Sequence, residues 1–495
     1  MKRYKLTALL FAFLATFSLS SCNDWLDLEP SDTLTEDDLF ATGDGYRNAL
    51  NGVYKQMGTS SMYGQNMSWG MVDALGGLYD FSRKGSNSDY AYISKYNYKS
   101  DGVQDMIDQV WSKTYNCIAN CNQLIQRLEK ENNTAKFKKG SEEMNLIKGE
   151  ALALRALLHF DILRLFAPAK DNGTKYIPYV TTYPCTFQEY STVNDVLEKV
   201  RKDLVDAKAL VKEYEEAHLD WMTTDLRVKN IKPFSVETAP DDLFFAFRAY
   251  RLNYYAISAL LARVYAYSGM YEEAFNESKV VIDNVGDNKY SGKLFYFTSS
   301  NDVNPESYSK VCNNKLFEDI LFTLSNQKLY DNYDAVRNGS GNYKFYLKTS
   351  SKSAFFNDDM DVRSYLVNIE DSRYCYCNKH VDMSGSAKQY VEDMIPMIRV
   401  SELYLIRALY YYQQGLNDKV LDEVAQLRKV RNCANTHLMD PSKKDWFTTG
   451  ILEEVKREFM CEGQLFFWHK HLGVRPAAMK TDDLFVLPYP TSEEL

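Results

Sequence analysis

Residues 252–283 read LNYYAISALLARVYAYSGMYEEAFNESKVVID, and their spacing decides the fold. Ala256, Leu260, Leu261, Val264 and Tyr265 recur at helical intervals and give one helix an apolar stripe. Gly269 then breaks the chain, and Tyr271, Ala274 and Val281 open a second stripe. Small residues let two helices approach closely, and a glycine permits the reversal between them. The stretch therefore predicts an antiparallel helix pair.

This is the tetratricopeptide arrangement, in which each pair buries its apolar face only by stacking on another, so further copies are expected. Gly149 to Phe166 is read as pairing with Val193 to Val211 across an insertion, and Arg399 to Gln414 with Asp418 to Arg431 around Gly415. Trp111 to Leu128 joins a further pair. The predicted fold class is all-α, with helix pairs separated by long irregular loops. Two such loops lack helical spacing and are rich in rings. Thr59 to Ser100 holds Tyr63, Trp69, Tyr79, Phe81, Tyr90, Tyr92, Tyr96 and Tyr98, and Gly286 to Tyr346 holds Tyr290, Phe295, Tyr296, Tyr308, Tyr330, Tyr333 and Tyr343. Long loops in a compact protein are commonly functional, and the aromatic content argues against disorder. They are the candidate binding surface. Trp69, Tyr79, Phe81 and Tyr90 are the expected stacking platforms, Asp73 and Arg83 their hydrogen-bonding neighbours, and Tyr296 and Tyr308 a second wall. Asp80, Asn87 and Asn97 flank the first loop. The alternative is that rings such as Trp69 and Phe81 pin the loop to the helices.

The chain begins with Lys2, Arg3 and Lys5, then runs through an apolar stretch from Leu6 to Leu19 that is too short to span a bilayer, and reaches Leu19-Ser20-Ser21-Cys22. A cysteine directly after such a stretch and small residues is where a bacterial lipoprotein is cut and lipidated. Residues 1–21 are therefore read as a leader and Cys22 as the lipidated residue, which tethers the protein to a membrane. A two-chain anchor of this kind attaches stably, with negligible release by dissociation. Asn23-Asp24-Trp25-Leu26-Asp27-Leu28-Glu29 follows, resembling the acidic start by which Bacteroidetes lipoproteins are sent to the outer face of the outer membrane.

Without the leader the chain has 55 basic residues against 67 acidic ones, a net charge of −12, which argues against nucleic acid or an anionic lipid surface as partner. The eight cysteines beyond Cys22 form no metal-ligand framework and read as buried thiols: Cys117 and Cys121 are four apart on a helix, and Cys375-Tyr376-Cys377 alternates without a second pair. Nothing in the sequence calls for a metal or a cofactor. Carboxylates are plentiful at Asp358, Asp359 and Asp361 and at Glu453 and Glu454, but nothing places two of them across a scissile bond, and Asp358 to Asp361 lacks a calcium loop's spacing. No nucleophile elbow, phosphate loop or His-Glu-x-x-His is present. His469-Lys470-His471 reads as a solvated helix end. The protein is read as non-catalytic.

An ordered set of short motifs spans nearly the whole chain after Cys22. It begins with Leu26-Asp27, Pro30, Phe40, Leu50, Gly52 and Tyr54, and continues with Trp111, Tyr115, Ile118 and Asn120. Gly149-Glu150-Ala151, Arg155-Ala156, Phe160 and Ile177-Pro178 follow. Toward the end come Ile398-Arg399-Val400-Ser401-Glu402-Leu403-Tyr404-Leu405, Arg428, Arg431, Glu453-Glu454, Arg457-Glu458-Phe459, Glu462-Gly463 and Leu487-Pro488-Tyr489-Pro490. This series resembles the SusD/RagB family of surface nutrient-binding lipoproteins. Two departures are Arg407-Ala408-Leu409, where the family usually has a further small or acidic residue, and the lack of an Asn/Gln/Pro-rich tail before Leu495. The charged motif residues are expected to be architectural: Glu150 with Arg155, and Arg399 with Glu402, are spaced to pair on one helix.

The resemblance implies a SusD-like scaffold in three parts: the leader 1–21, an N-terminal region 22–345 with helix pairs and binding loops, and a C-terminal region 346–495 packed on the same globule. It further implies a protein anchored in the outer membrane that captures a glycan or oligosaccharide and delivers it to a TonB-dependent, SusC-like transporter. A peptide ligand, or a scaffold with no ligand of its own, are the alternatives.

Overall fold

The computed structural model describes residues 35–82, 88–222, 242–246, 248–288, 290–304, 313–338, 344–370, 374–381 and 393–493. Cys22 and the leader lie outside them. The principal helices are α1 (Gly43–Met57), α2 (Asp101–Lys130), α3 (Gly140–Phe166), α4 (Val193–Ala217), α5 (Tyr254–Tyr267), α6 (Tyr271–Ile282), α7 (Leu329–Asn338), α8 (Val400–Gln413), α9 (Asn417–Val430), α10 (Trp446–Glu458) and α11 (Leu465–Leu472). Strands among the described residues occur only as two-stranded pairs: β1 (Lys175–Pro178) with β2 (Tyr190–Thr192), β3 (Val285–Gly286) with β4 (Phe295–Tyr296), β5 (Ile320–Ser325) with β8 (Met394–Arg399), and β6 (Val367–Glu370) with β7 (Tyr374–Cys377). The helical class is as expected. The stretches read as irregular depart from that reading in places: α7 is a ten-residue helix, and the short helices Met71–Leu75, Asp89–Ile93 and Ser300–Val303 also lie inside them.

The helices stack in series, α1 on α2, then α3, α4, α5, α6, α8 and α9, each against the next. The predicted pairs are all present. Asn253 starts α5 by accepting the backbone N–H groups of Tyr255 and Ala256, and Gly269, at φ +75°, turns the chain into α6. Ala274 and Val281 are fully buried. In α3 every residue from Gly149 to Phe166 is buried, as befits a helix that is apolar nearly all round. Gly149 allows that helix to reach α4. A Cβ there would stand 2.6 Å from Val211 Cγ1 and 3.1 Å from the Ala207 carbonyl oxygen.

The charged motif residues are interior, but their partners are distant in sequence. Arg155 forks onto Asp203 with two bonds of 2.7 Å, tying α3 to α4, and Tyr179 adds a 2.6 Å bond to the same carboxylate. Glu150 holds Arg248 and Arg251, and Arg248 also reaches Glu215. Arg399 pairs with Glu462 at 2.6 Å, and Glu402 with Arg263 at 2.6 Å. The local pairs expected from spacing do not form, because the side chains point outward from their helix into neighbouring elements. Removing one partner of such a buried pair strands a charge and costs about 3–5 kcal/mol.

His469-Lys470-His471 is not a solvated end. Lys470 is buried and donates to the carbonyl oxygens of Arg164 (2.6 Å) and Phe485 (2.8 Å), and burial pushes the His471 imidazole down to about 4. Asp358 is used locally, accepting the N–H groups of Met360, Ala434 and Asn435 and facing Arg428. Cys117, Cys121, Cys375, Cys377, Cys433 and Cys461 are buried free thiols, while Cys185 is exposed.

Candidate ligand-binding face

Three segments far apart in sequence meet along one seam. Tyr79 bridges Leu347 in antiparallel fashion, the Asp80 N–H donates to the Tyr346 carbonyl at 2.9 Å, and the Lys348 N–H to that of Leu78 at 2.8 Å. On its other side the Leu347 N–H reaches the Cys375 carbonyl on β7 at 2.7 Å. Strand β7 alternates, with Cys375 and Cys377 inward and Tyr374 and Tyr376 on the half-buried outer side. Helix α7 completes the seam. Its Tyr333 hydroxyl donates to the Cys377 carbonyl at 2.8 Å, and its Arg337 lies over the Tyr376 ring at 5.3 Å.

Beneath the seam sit most of the rings expected as platforms. Trp69 is fully buried and donates its Nε1–H to the Gly64 carbonyl at 2.9 Å. Tyr79, 4% exposed, donates to the Trp69 carbonyl at 2.7 Å, and Phe81 is 5% exposed. All three meet Phe345 edge to face, at 5.6, 4.7 and 5.3 Å. These rings build the seam from within, and they present no open face for stacking. The polar character of their loop conceals an aromatic cluster that forms only when Phe345 arrives. Asp73 is likewise interior, and burial pushes its carboxyl well above the usual carboxylate range. Tyr90 is half-buried, 5.0 Å from Phe345, with its hydroxyl donating to Asn66 Oδ1 and accepting from Gln65 Nε2. Tyr296 is half-buried on β4, beside Phe295, which packs 5.1 Å from Tyr255 of α5. Arg83 and Tyr308 lie outside the described residues.

The outer side of the seam carries groups that sequence reading missed. Arg337, Lys344, Tyr346, Glu370 and Tyr376 line one small cleft of about 10 Å³, room for a single water, so a larger ligand would lie across its rim and not inside it. Glu370 organises it, accepting from Lys344 Nζ at 2.5 Å and from the Tyr346 hydroxyl at 2.9 Å, and the Glu370 carboxylate raises the Lys344 pKa. Tyr374 stands 4.8 Å from the Tyr346 ring, and the Tyr376 hydroxyl accepts from Asn368 and Arg337, both at 3.3 Å. The arrangement sets ring faces next to both donors and acceptors, which suits a ligand with apolar C–H faces and many hydroxyls. The one signal in the sequence was the alternation Tyr374-Cys375-Tyr376-Cys377, which marks a strand with tyrosines on one side.

Comparison with known proteins places this architecture. Residues 24–224 match the model of a family described as starch-binding associating with outer membrane, and residues 263–468 match the model of the SusD family. The chain belongs to the SusD family. A SusD-like protein P2 of Formosa agariphila is 24% identical over 289 residues, which are 57% of this chain and 47% of that protein, so the chain spans about half the length of this curated relative. Among solved structures, a SusD superfamily protein of Bacteroides thetaiotaomicron superposes with a TM-score of 0.65 at 23% identity, covering 91% of this chain and 97% of that one. A SusD-like carbohydrate binding protein of Bacteroides vulgatus gives 0.60 at 17% identity, covering 87% and 83%. At these identities the SusD likeness is one of fold, and the resemblance read from the motif series is borne out.

Proposed function

We propose that this SusD-family chain is a non-catalytic carbohydrate-binding lipoprotein of the outer membrane, which captures an oligosaccharide and passes it to a SusC-like, TonB-dependent transporter. The observation that carries the reading is the outer side of β7, where Tyr374 and Tyr376 stand beside Arg337, Lys344 and Glu370. The family descriptions and the sugar-binding relative support the ligand class, and the Leu19–Cys22 motif supports the anchor. Tyr90 is the residue from the first aromatic loop that remains a candidate contact, and Tyr296 the one from the second. Trp69, Asp73, Tyr79 and Phe81 act here as the interior that holds the cleft in shape. Screening the protein against a panel of purified oligosaccharides tests the reading. Binding of at least one glycan, weakened by Glu370→Gln, is expected. A chain that binds no glycan but binds a peptide library would replace the ligand class.

A further inference from the structure

Away from the seam, a pocket of about 270 Å³ opens between α9 and α10 and is closed by the connection that runs through Leu438 and Lys444. Its floor is Val424 and Met439, both buried. One wall is the half-buried indole of Trp446, which meets Tyr412 and Phe447 edge to face, each at 5.9 Å. Tyr412 stacks flat on Phe447 at 3.9 Å and is itself 38% exposed, so the aromatic wall continues out to solvent. The size suits one or two sugar rings and not a folded peptide segment. A flat indole with hydrogen-bonding groups around it is the combination a pyranose requires, apolar on its C–H face and polar at its edge.

The charges select further. The carboxylate of Glu454 at the back of the pocket is already neutralised by Arg363, Arg428 and Arg457, and Glu453 by Lys456 and Arg457. At the rim Lys443 faces Asp440 at 3.7 Å. Lys444 is exposed and has no carboxylate within ion-pair distance among the described residues, so it sets the local sign at the mouth. We propose that this pocket is a second saccharide site, taking an acidic sugar unit whose ring lies on Trp446 and whose carboxylate or sulfate ester meets Lys444. It shares no lining residue with the seam and does not rest on the reading of that cleft.

The full chain is titrated calorimetrically with a galacturonic acid trimer, a sulfated galactose trimer and the neutral galactose trimer. At least one acidic probe should bind more tightly than the neutral one, with a preference that shrinks as salt is raised. Lys444→Gln changes an exposed side chain and leaves the fold intact. It should weaken the acidic probe about threefold and bring it level with the neutral one. Trp446→Ala should abolish binding of all three at this pocket. Preference for the carboxylated or for the sulfated probe names the acid group. Equal affinity for all three probes, no binding of either acidic probe, or wild-type binding by Lys444→Gln would each overturn the proposal.

Discussion

The Tyr79 and Phe345 rings meet edge to face at 4.7 Å, joining two loops that lie more than 260 positions apart in sequence. Phe345 also touches Trp69, Phe81 and Tyr90, so one side chain holds the first aromatic loop against β7. Phe345→Ala should cost about 3–5 kcal/mol, since it empties the centre of a buried ring cluster. Thermal unfolding reads this. A melting temperature equal to wild type would mean that the cluster does not hold the seam.

Ala274 lies on α6 with no exposed surface, facing the packed neighbours α5 and α8. Ala274→Trp should overpack that contact and lower stability by about 1–3 kcal/mol or more. Denaturant unfolding checks it, and Ala274→Ser, with one extra atom, should be milder.

The helix pairs were legible because their signals are local. Asn253 at the cap, Ala256, Gly269 at positive φ and Ala274 all fall within one short stretch of chain. The buried charge network was not. Arg155 and Asp203 are 48 residues apart and Arg263 and Glu402 are 139, and no helical spacing encodes such partners. At the candidate face Trp69, Tyr79 and Phe81, expected as platforms, are interior, because an aromatic residue in a polar loop gives no sign of whether a distant phenylalanine will cover it. Tyr374 and Tyr376 were overlooked for the opposite reason: the cysteines between them drew the reading toward metal and disulfide chemistry.

Acid should destabilise the fold through its histidines. His159 accepts the Val180 N–H on Nε2 at 3.0 Å while its Nδ1 faces the Arg155 carbonyl oxygen at 2.9 Å, so it is neutral, and burial holds it down at about 3. His471 is held at about 4, also by burial. Both lie below the 6.5 of a free imidazole. The unfolded chain then binds protons that the folded chain refuses, and stability present above pH 6.5 is lost as pH falls toward 4. Glu318, pushed up to about 7 by burial, opposes this, since its share is full below 4.5 and fades as pH rises to 7. Urea unfolding from pH 6.5 to 4.5 should show the histidine loss, and His159→Gln should flatten the slope by about one proton. An unchanged slope would mean that His159 is not the group responsible.

Cys22→Ala should give a folded protein that is left unprocessed or is released from the membrane. Cell fractionation decides it. If the variant stays in outer-membrane fractions at wild-type level with no transporter present, Cys22 is not the anchor.

The central claim is that the cleft beside β7 binds the sugar. Tyr376→Ala removes a half-buried ring whose contacts to Arg337 and Asn368 are near the surface, so its melting temperature should match wild type. Isothermal titration with the glycan found by panel screening should then show affinity lower by roughly 1–3 kcal/mol, the range for losing an aromatic stacking contact. Wild-type affinity in Tyr376→Ala, measured on protein that melts normally, would place the site elsewhere.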